Sequence, residues 1–83
     1  MVKDRFVLSL SGRDAGRIHL IIEIIDENYV LIADGKHRKL EKPKKKKLKH
    51  LRIIDKNINV TDLTNRKLIR LINEIGRDYS AKR

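Results

Sequence analysis

The chain has 83 residues, 40% of them hydrophobic, and its 21 Lys and Arg residues outnumber 11 Asp and Glu residues to give a formal charge of +10. This length and composition predict one small folded domain over residues 1–83, and the absence of cysteine excludes disulfides, thiolate nucleophiles and cysteine-ligated metal sites. No apolar run approaches the roughly 20 residues that span a bilayer, and the first residues lack the apolar stretch of a signal peptide, so we expect a cytoplasmic protein without a membrane partner.

The first two thirds of the chain predict five short strands, which fit a small β-barrel over about residues 5–55. Residues 5–10 and 17–26 are rich in β-forming side chains, and they flank a turn at residues 11–16 that contains two glycines. A tight Asp-Glu-Asn turn then leads to a third strand at residues 29–33.

The next stretch predicts two further strands on either side of a lysine run. After an Asp-Gly turn at residues 34–35, residues 36–40 are expected to form a short edge strand that Pro43 interrupts. The lysines at 44–47 are expected to be solvated or bound to a partner rather than packed. Residues 49–54 return apolar side chains to the core as the fifth strand.

The apolar spacing then changes from a period of two to about three and a half, which predicts an amphipathic helix over about residues 61–76. The apolar stripe of this helix contains Leu68, Leu71, Ile72 and Ile75. Thr61 or Thr64 is expected to cap its first turn, Gly76 to end it and residues 77–83 to fray. Packed across an open side of the barrel, the helix completes a mainly β fold with one helix.

Nearly all of the net charge lies in one segment. Residues 36–52 hold ten basic residues and one acid, whereas the other 66 residues hold 11 basic and 10 acidic residues. A partner rich in negative charge, most commonly a nucleic acid, is the simplest reason for this self-repulsion, and a solvated loop is the alternative. The residues of the segment expected to contact phosphates are Lys36, His37, Arg38, Lys39, Lys42, Lys44, Lys45, Lys46, Lys47, Lys49, His50 and Arg52.

The sequence contains no pattern typical of a catalytic centre. No serine lies in an elbow-type glycine motif, no two histidines have the helical spacing of metal ligands, and the turn at 11–16 lacks the lysine and threonine that end a phosphate-binding loop. His19 is expected to be a half-buried barrel residue rather than a base. We therefore expect a binding protein with no enzymatic activity, no cofactor and no metal.

The run Ser-Gly-Arg-Asp-Ala-Gly-Arg-Ile at residues 11–18, followed by alternating apolar residues up to residue 35, resembles a KOW motif. The resemblance implies an SH3-like barrel of the kind found in large-subunit ribosomal proteins and transcription elongation factors, with Gly16 as the motif glycine. Residues 21–35, and the basic groups Lys-Pro-Lys at 42–44 and Lys-His-Leu at 49–51, are similar to the large-subunit ribosomal protein fourteen-e class of archaea and eukaryotes. This similarity implies a role in translation, bound to ribosomal RNA.

The residues of the first turn agree with RNA binding. Gly16 allows the backbone to approach a phosphate, and Arg13 and Arg17 on either side are suited to grip it, although a turn with solvated arginines is the alternative. The chain has three aromatic residues, Phe6, Tyr29 and Tyr79. Because base stacking needs exposed aromatics and Phe6 is expected in the core, we expect structured RNA recognised by shape and backbone.

Two other functions are compatible with the sequence. A general DNA-binding or polyanion-binding protein would use the same basic segment without preferring structured RNA. A protein-interaction module associated with transcription or translation would instead present the barrel edge or the helix stripe to ribosomal or transcription proteins. An exposed stripe in the free protein would favour the second alternative.

Overall fold

A computed structural model of the protein describes residues 5–54 and 61–81, with side chains described to residue 77. Its elements are β1 (Phe6–Ser9), β2 (Ile18–Ile24), β3 (Tyr29–Ala33), β4 (Lys44–Lys47), a short 3₁₀ helix (Leu48–His50), β5 (Leu51–Ile53) and α1 (Asn65–Ala81). The five strands form one sheet in the order β4-β3-β2-β1-β5, and all neighbours are antiparallel. The fold is a small SH3-like barrel followed by one helix, as the sequence predicts.

The sheet buries apolar side chains on both of its faces. Val7, Ile21, Val30 and Ile32 form an inner cluster with the partly buried Leu48 and Leu51. Phe6, Leu20, Ala33 and Ile54 form an outer cluster with Leu68 and Ile75 of α1. Because successive side chains of a strand point to opposite faces, these two clusters lie on opposite sides of the sheet. The apolar run of β2 is nearly continuous because side chains on both faces of this strand are buried. The pairing of β2 with β3 also shifts register between Ile21 and Glu23.

The helix packs against the outer cluster of the sheet. Leu68 and Ile75 are at most 1% exposed, and Leu71 and Ile72 pack against the same cluster. The apolar stripe of α1 is therefore not exposed in the free protein. This finding removes the stripe as a surface for docking a protein partner.

The ends of α1 match the predictions in part. The hydroxyl oxygen of Thr64 accepts a hydrogen bond from the Lys67 N–H at 3.1 Å, so Thr64 is the capping residue. Gly76 does not end the helix, because its backbone is helical rather than left-handed and the helix continues to Ala81. The helix therefore extends five residues beyond its predicted end, and residues 82–83 lie outside the described part of the chain.

The predicted edge strand at residues 36–40 is wrong, because Asp34 organises this stretch as a loop. Oδ1 of Asp34 accepts hydrogen bonds from the N–H groups of Lys36 at 2.9 Å and Arg38 at 2.8 Å. The backbone N–H groups of Asp34 and Gly35 donate to the carbonyl of Arg38. A side chain that accepts hydrogen bonds from several nearby backbone N–H groups favours a turn over a strand. The edge strand lies later, at β4.

The loop at residues 34–42 is fastened to the start of α1 through Asn65. Oδ1 of Asn65 accepts the N–H of Leu40 at 2.8 Å, and its Nδ2 donates to Glu41 at 2.8 Å. Gly35 has a φ of +84°, and a Cβ at this position would lie 2.4 Å from the carbonyl oxygen of Asn65. The close approach of loop and helix therefore requires glycine at position 35.

Candidate nucleic-acid interface

The lysine run forms β4, a strand at the edge of the sheet, instead of a solvated loop. It pairs with β3 so that Lys47 lies opposite Tyr29, Lys46 opposite Val30, Lys45 opposite Leu31 and Lys44 opposite Ile32. Directly opposite residues share a face of the sheet. Since Val30 and Ile32 belong to the inner cluster, Lys44 and Lys46 point inward and Lys45 and Lys47 point outward.

The two inward lysines are bound within the protein. Nζ of Lys44 donates to Oδ2 of Asp14 at 2.7 Å. Nζ of Lys46 donates to the carbonyl oxygen of Ser11 at 3.0 Å and lies 3.8 Å from Oδ2 of Asp14. Lys46 is only 7% exposed, so the prediction of solvated or partner-bound lysines is wrong for this residue. Both ammonium groups instead tie the turn at residues 11–16 to β4.

Asp14 supplies the negative charge for this tether. Burial raises the pKa of its carboxyl group, but the hydrogen bond from Lys44 and the positive charge of Lys44 outweigh that effect, with smaller contributions from His19 and Lys46, and the pKa lies below its ordinary value. The carboxylate is therefore ionised at neutral pH. Nothing in the local sequence indicates this role, because Asp14 and Lys44 are 30 positions apart.

The two outward lysines lie beside Tyr29. Nζ of Lys45 is 4.5 Å and Nζ of Lys47 is 5.9 Å from the centre of the tyrosine ring. Both distances are within the range of cation–π attraction, which holds the two ammonium groups close together at the surface. Lys45 is exposed and Lys47 half-buried. The four consecutive lysines thus divide into an inward pair with a structural role and an outward pair that faces solvent.

The turn at residues 11–16 presents its predicted phosphate-binding residues to solvent. Arg13, Gly16 and Arg17 are all exposed. Gly16 has a φ of +85°, and no atom lies within 4 Å of the place where a Cβ would stand. Its N–H donates to the carbonyl of Ser9 at 2.8 Å, which closes the β1–β2 hairpin. The surface above Gly16 is therefore open to an approaching group.

The remaining predicted residues lie on three other elements. In the loop before β4, Lys36, His37, Lys39 and Lys42 are exposed and Arg38 is half-buried. In the 3₁₀ helix, Lys49 is exposed and His50 half-buried, and Arg52 is exposed on β5. The structure therefore brings the first turn and β4 together through the lysine tether, while the loop at residues 34–42 is held against α1.

His19 is completely buried rather than half-buried, and neither ring nitrogen has a hydrogen-bond partner among the described residues. Nε2 lies 3.9 Å from Oδ2 of Asp34. Burial lowers the pKa of His19, and although the charges of Asp34 and Asp14 act in the opposite direction, the net pKa is below its ordinary value. The imidazole is therefore neutral at pH 7 and inaccessible to a substrate.

Among residues 5–54 and 61–81, no three His, Asp or Glu side chains come together as metal ligands. In the same part of the chain, no helix has the length and apolar character needed to cross a membrane.

Comparison with known proteins identifies the family. No protein-family model matches the chain. A large ribosomal subunit protein eL14 from Desulfurococcus amylolyticus is 34% identical to it over 73 residues, which cover 87% of this chain and 76% of that protein. The chain belongs to the eL14 family. The eL14 protein of Staphylothermus marinus is 39% identical over 57 residues, or 69% of this chain and 59% of that protein, and the Aeropyrum pernix protein is 29% identical over 73 residues.

These relatives confirm the resemblance to the fourteen-e class that residues 21–35 and the basic groups at 42–44 and 49–51 indicate. The matched segments span about three fifths of the Staphylothermus eL14 protein and about three quarters of the Desulfurococcus and Aeropyrum eL14 proteins.

Proposed function

We propose that this eL14-family chain is a non-enzymatic RNA-binding component of the large ribosomal subunit, which holds the phosphate backbone of structured ribosomal RNA. The division of the lysine run supports this proposal most directly. Lys44 and Lys46 are used to fasten the first turn to β4, whereas Lys45 and Lys47 are directed outward and engage no acid in the structure's described residues. Relatives named as large ribosomal subunit proteins supply the ribosomal setting.

The proposed interface consists of Lys45 and Lys47 on β4 together with Arg13 and Gly16 in the first turn and Arg17 directly after it. Lysines act as point charges that attract phosphates without regard to sequence, whereas a guanidinium can donate two parallel hydrogen bonds to one phosphate. The open glycine lets the backbone approach closely. The exposed basic residues of the loop before β4 extend the attraction. The interface thus combines the long-range charge attraction of lysines with the directed hydrogen bonds of arginines, and it needs no base stacking.

Paired substitutions within the lysine run test this proposal. Each lost phosphate contact lowers the slope of log K against log salt concentration by about 0.7–0.9, so Lys45→Gln with Lys47→Gln should flatten the slope by up to about 1.4–1.8. The measurement is binding of the purified protein to large-subunit ribosomal RNA from the source cells, between low and moderate salt. The urea midpoint of this outward variant should fall less than that of a variant of the inward pair, because the outward pair loses only cation–π contacts with Tyr29 of about 0.5–1 kcal/mol each.

The inward pair is the matched control, since it has the same residue type and the same change of charge. Lys44→Gln with Lys46→Gln should destabilise the fold by about 1–3 kcal/mol, because it leaves the buried carboxylate of Asp14 without its partners. Its salt slope, measured where the variant is folded, should match the parent. Equal slopes for the outward variant and the parent would contradict the proposed interface.

Crosslinking in cells tests the ribosomal setting. Ultraviolet irradiation followed by sequencing of the attached RNA should recover one compact region of large-subunit ribosomal RNA. Diffuse crosslinks across many RNAs would instead favour a general polyanion binder, and their absence would contradict RNA binding altogether.

A further inference from the structure

The face of α1 that points away from the barrel carries an arginine stripe. Its residues are Arg66, Arg70, Asn73 and Arg77, all exposed, and with the half-buried Ile69 they line one open depression. At 3.6 residues per turn these four positions follow one line along the helix, opposite the buried Leu68 and Ile75. The stripe lies outside the basic segment at residues 36–52.

The N-terminal part of the stripe is unfavourable for the helix that carries it. Arg66 and Arg70 are four residues apart, and like charges at this spacing destabilise a helix by about 0.2–0.5 kcal/mol. Arg66 also lies in the first turn, which has no acidic residue, where the helix dipole disfavours positive charge. Glu74 follows Arg70 by four residues and precedes Arg77 by three, spacings at which opposite charges attract, so it offsets part of this cost in the second half of the stripe. Binding of an anionic partner along the helix would offset these costs.

We propose that the arginine stripe of α1 is a second phosphate-binding surface, so that the domain holds structured RNA both at β4 and along its helix. This inference rests on the proposed RNA-binding function. From Arg66 to Arg77 the stripe extends about 16 Å along the helix axis, a length that suits a polyanion with successive phosphates better than a single small anion. The guanidinium groups match phosphate geometry, and the amide of Asn73 can donate to a phosphate or accept from a ribose hydroxyl.

Two triple variants test the stripe. Glutamine has a helix propensity close to that of arginine, so Arg66→Gln, Arg70→Gln and Arg77→Gln together should leave the circular dichroism of the helix unchanged. Against large-subunit ribosomal RNA from the source cells, this variant should flatten the salt slope by about 2–3. The control replaces the same three arginines by lysine. It keeps the charge, and it should retain the slope while losing part of the affinity at fixed salt.

The outcomes separate this inference from the proposed function. An unchanged slope for the glutamine triple variant, in a protein whose slope does fall on Lys45→Gln with Lys47→Gln, would overturn the helix surface alone. If the salt slope falls for the glutamine triple variant but not for Lys45→Gln with Lys47→Gln, the result would support the arginine stripe and contradict the β4 interface. Failure of the parent protein to bind the RNA would overturn both.

Discussion

Replacing Gly35 by alanine tests how the loop at residues 34–42 docks on α1. Gly35 and Gly16 have nearly the same left-handed backbone, with φ of +84° and +85°. A Cβ at Gly35 would lie 2.4 Å from the carbonyl oxygen of Asn65 and 3.1 Å from Cγ1 of Ile69, whereas a Cβ at Gly16 would meet nothing within 4 Å. The two substitutions therefore share the backbone strain and differ in the steric conflict with the helix.

The expected losses follow from these distances. An L-residue in the left-handed region costs roughly 1–2 kcal/mol, which is the whole expected effect of Gly16→Ala. Forcing a methyl group against fixed backbone adds about 1–3 kcal/mol, so Gly35→Ala should cost about 2–5 kcal/mol. A chain of this length is typically stable by about 4–12 kcal/mol, so the Gly35 variant loses a large share of its stability.

Urea and thermal unfolding, followed by circular dichroism, measure both losses. For a domain of this size each 1 kcal/mol lowers Tm by about 4–8 °C, which separates the two variants clearly. Equal destabilisation of Gly35→Ala and Gly16→Ala would refute the close packing of the loop against Asn65. If Gly35→Ala fails to fold while Gly16→Ala folds, the result would agree with the close packing of the loop against Asn65.

Three further changes have defined outcomes. Gly76→Ala should raise the free energy of unfolding, measured in urea, by about 1 kcal/mol, because glycine is a poor helix former. The added Cβ would lie 3.8 Å from Ile18, which is an ordinary contact, so a lower stability of this variant would contradict the packing of α1 at this position. Thr64→Ala should cost about 0.5–2 kcal/mol in urea unfolding, because the Lys67 N–H loses its acceptor. Burial lowers the pKa of His19 in the folded state below the unfolded value of 6.5, so the folded protein binds fewer protons than the unfolded chain just below pH 6.5. The free energy of unfolding should therefore fall as the pH drops below about 6.5, by up to about 1.4 kcal/mol per pH unit. The urea midpoint of His19→Leu should depend less on pH below 6.5 than that of the parent.

Much of the fold is predictable because its signals are local. The third strand has the bounds expected from its β-branched run and flanking turns. The helix is expected from the apolar period of about three and a half residues in this part of the sequence. β4 is not predictable in this way, since four lysines show no apolar alternation and have low strand propensity. Pairing with β3 and the carboxylate of Asp14 makes this strand stable, and both interactions are non-local.

The candidate interface is predictable in its charge but not in its arrangement. The excess of basic residues is visible in the composition, and Gly16 has a left-handed backbone with open space beside it, as a glycine in a turn allows. The division between Lys46, which is buried, and Lys45, which is exposed, depends on which face of the strand each residue occupies. Residue type alone carries no such information, because the two side chains are identical.

Because all four side chains of β4 are lysines, the strand itself does not determine the register of its pairing with β3. Shifting a strand by one residue exchanges its two faces, and in most strands the exchange is prevented by the difference between apolar and polar side chains. In a strand of four lysines the exchange changes no side-chain type, so the ends of the strand must prevent it. Pro43, which lacks an N–H, precedes β4, and Leu48 follows it, packs against the inner cluster and donates its N–H to the carbonyl of Asn28 at 2.8 Å. Deleting or inserting one lysine would leave the composition basic yet force either these anchors or the Asp14 tether out of place.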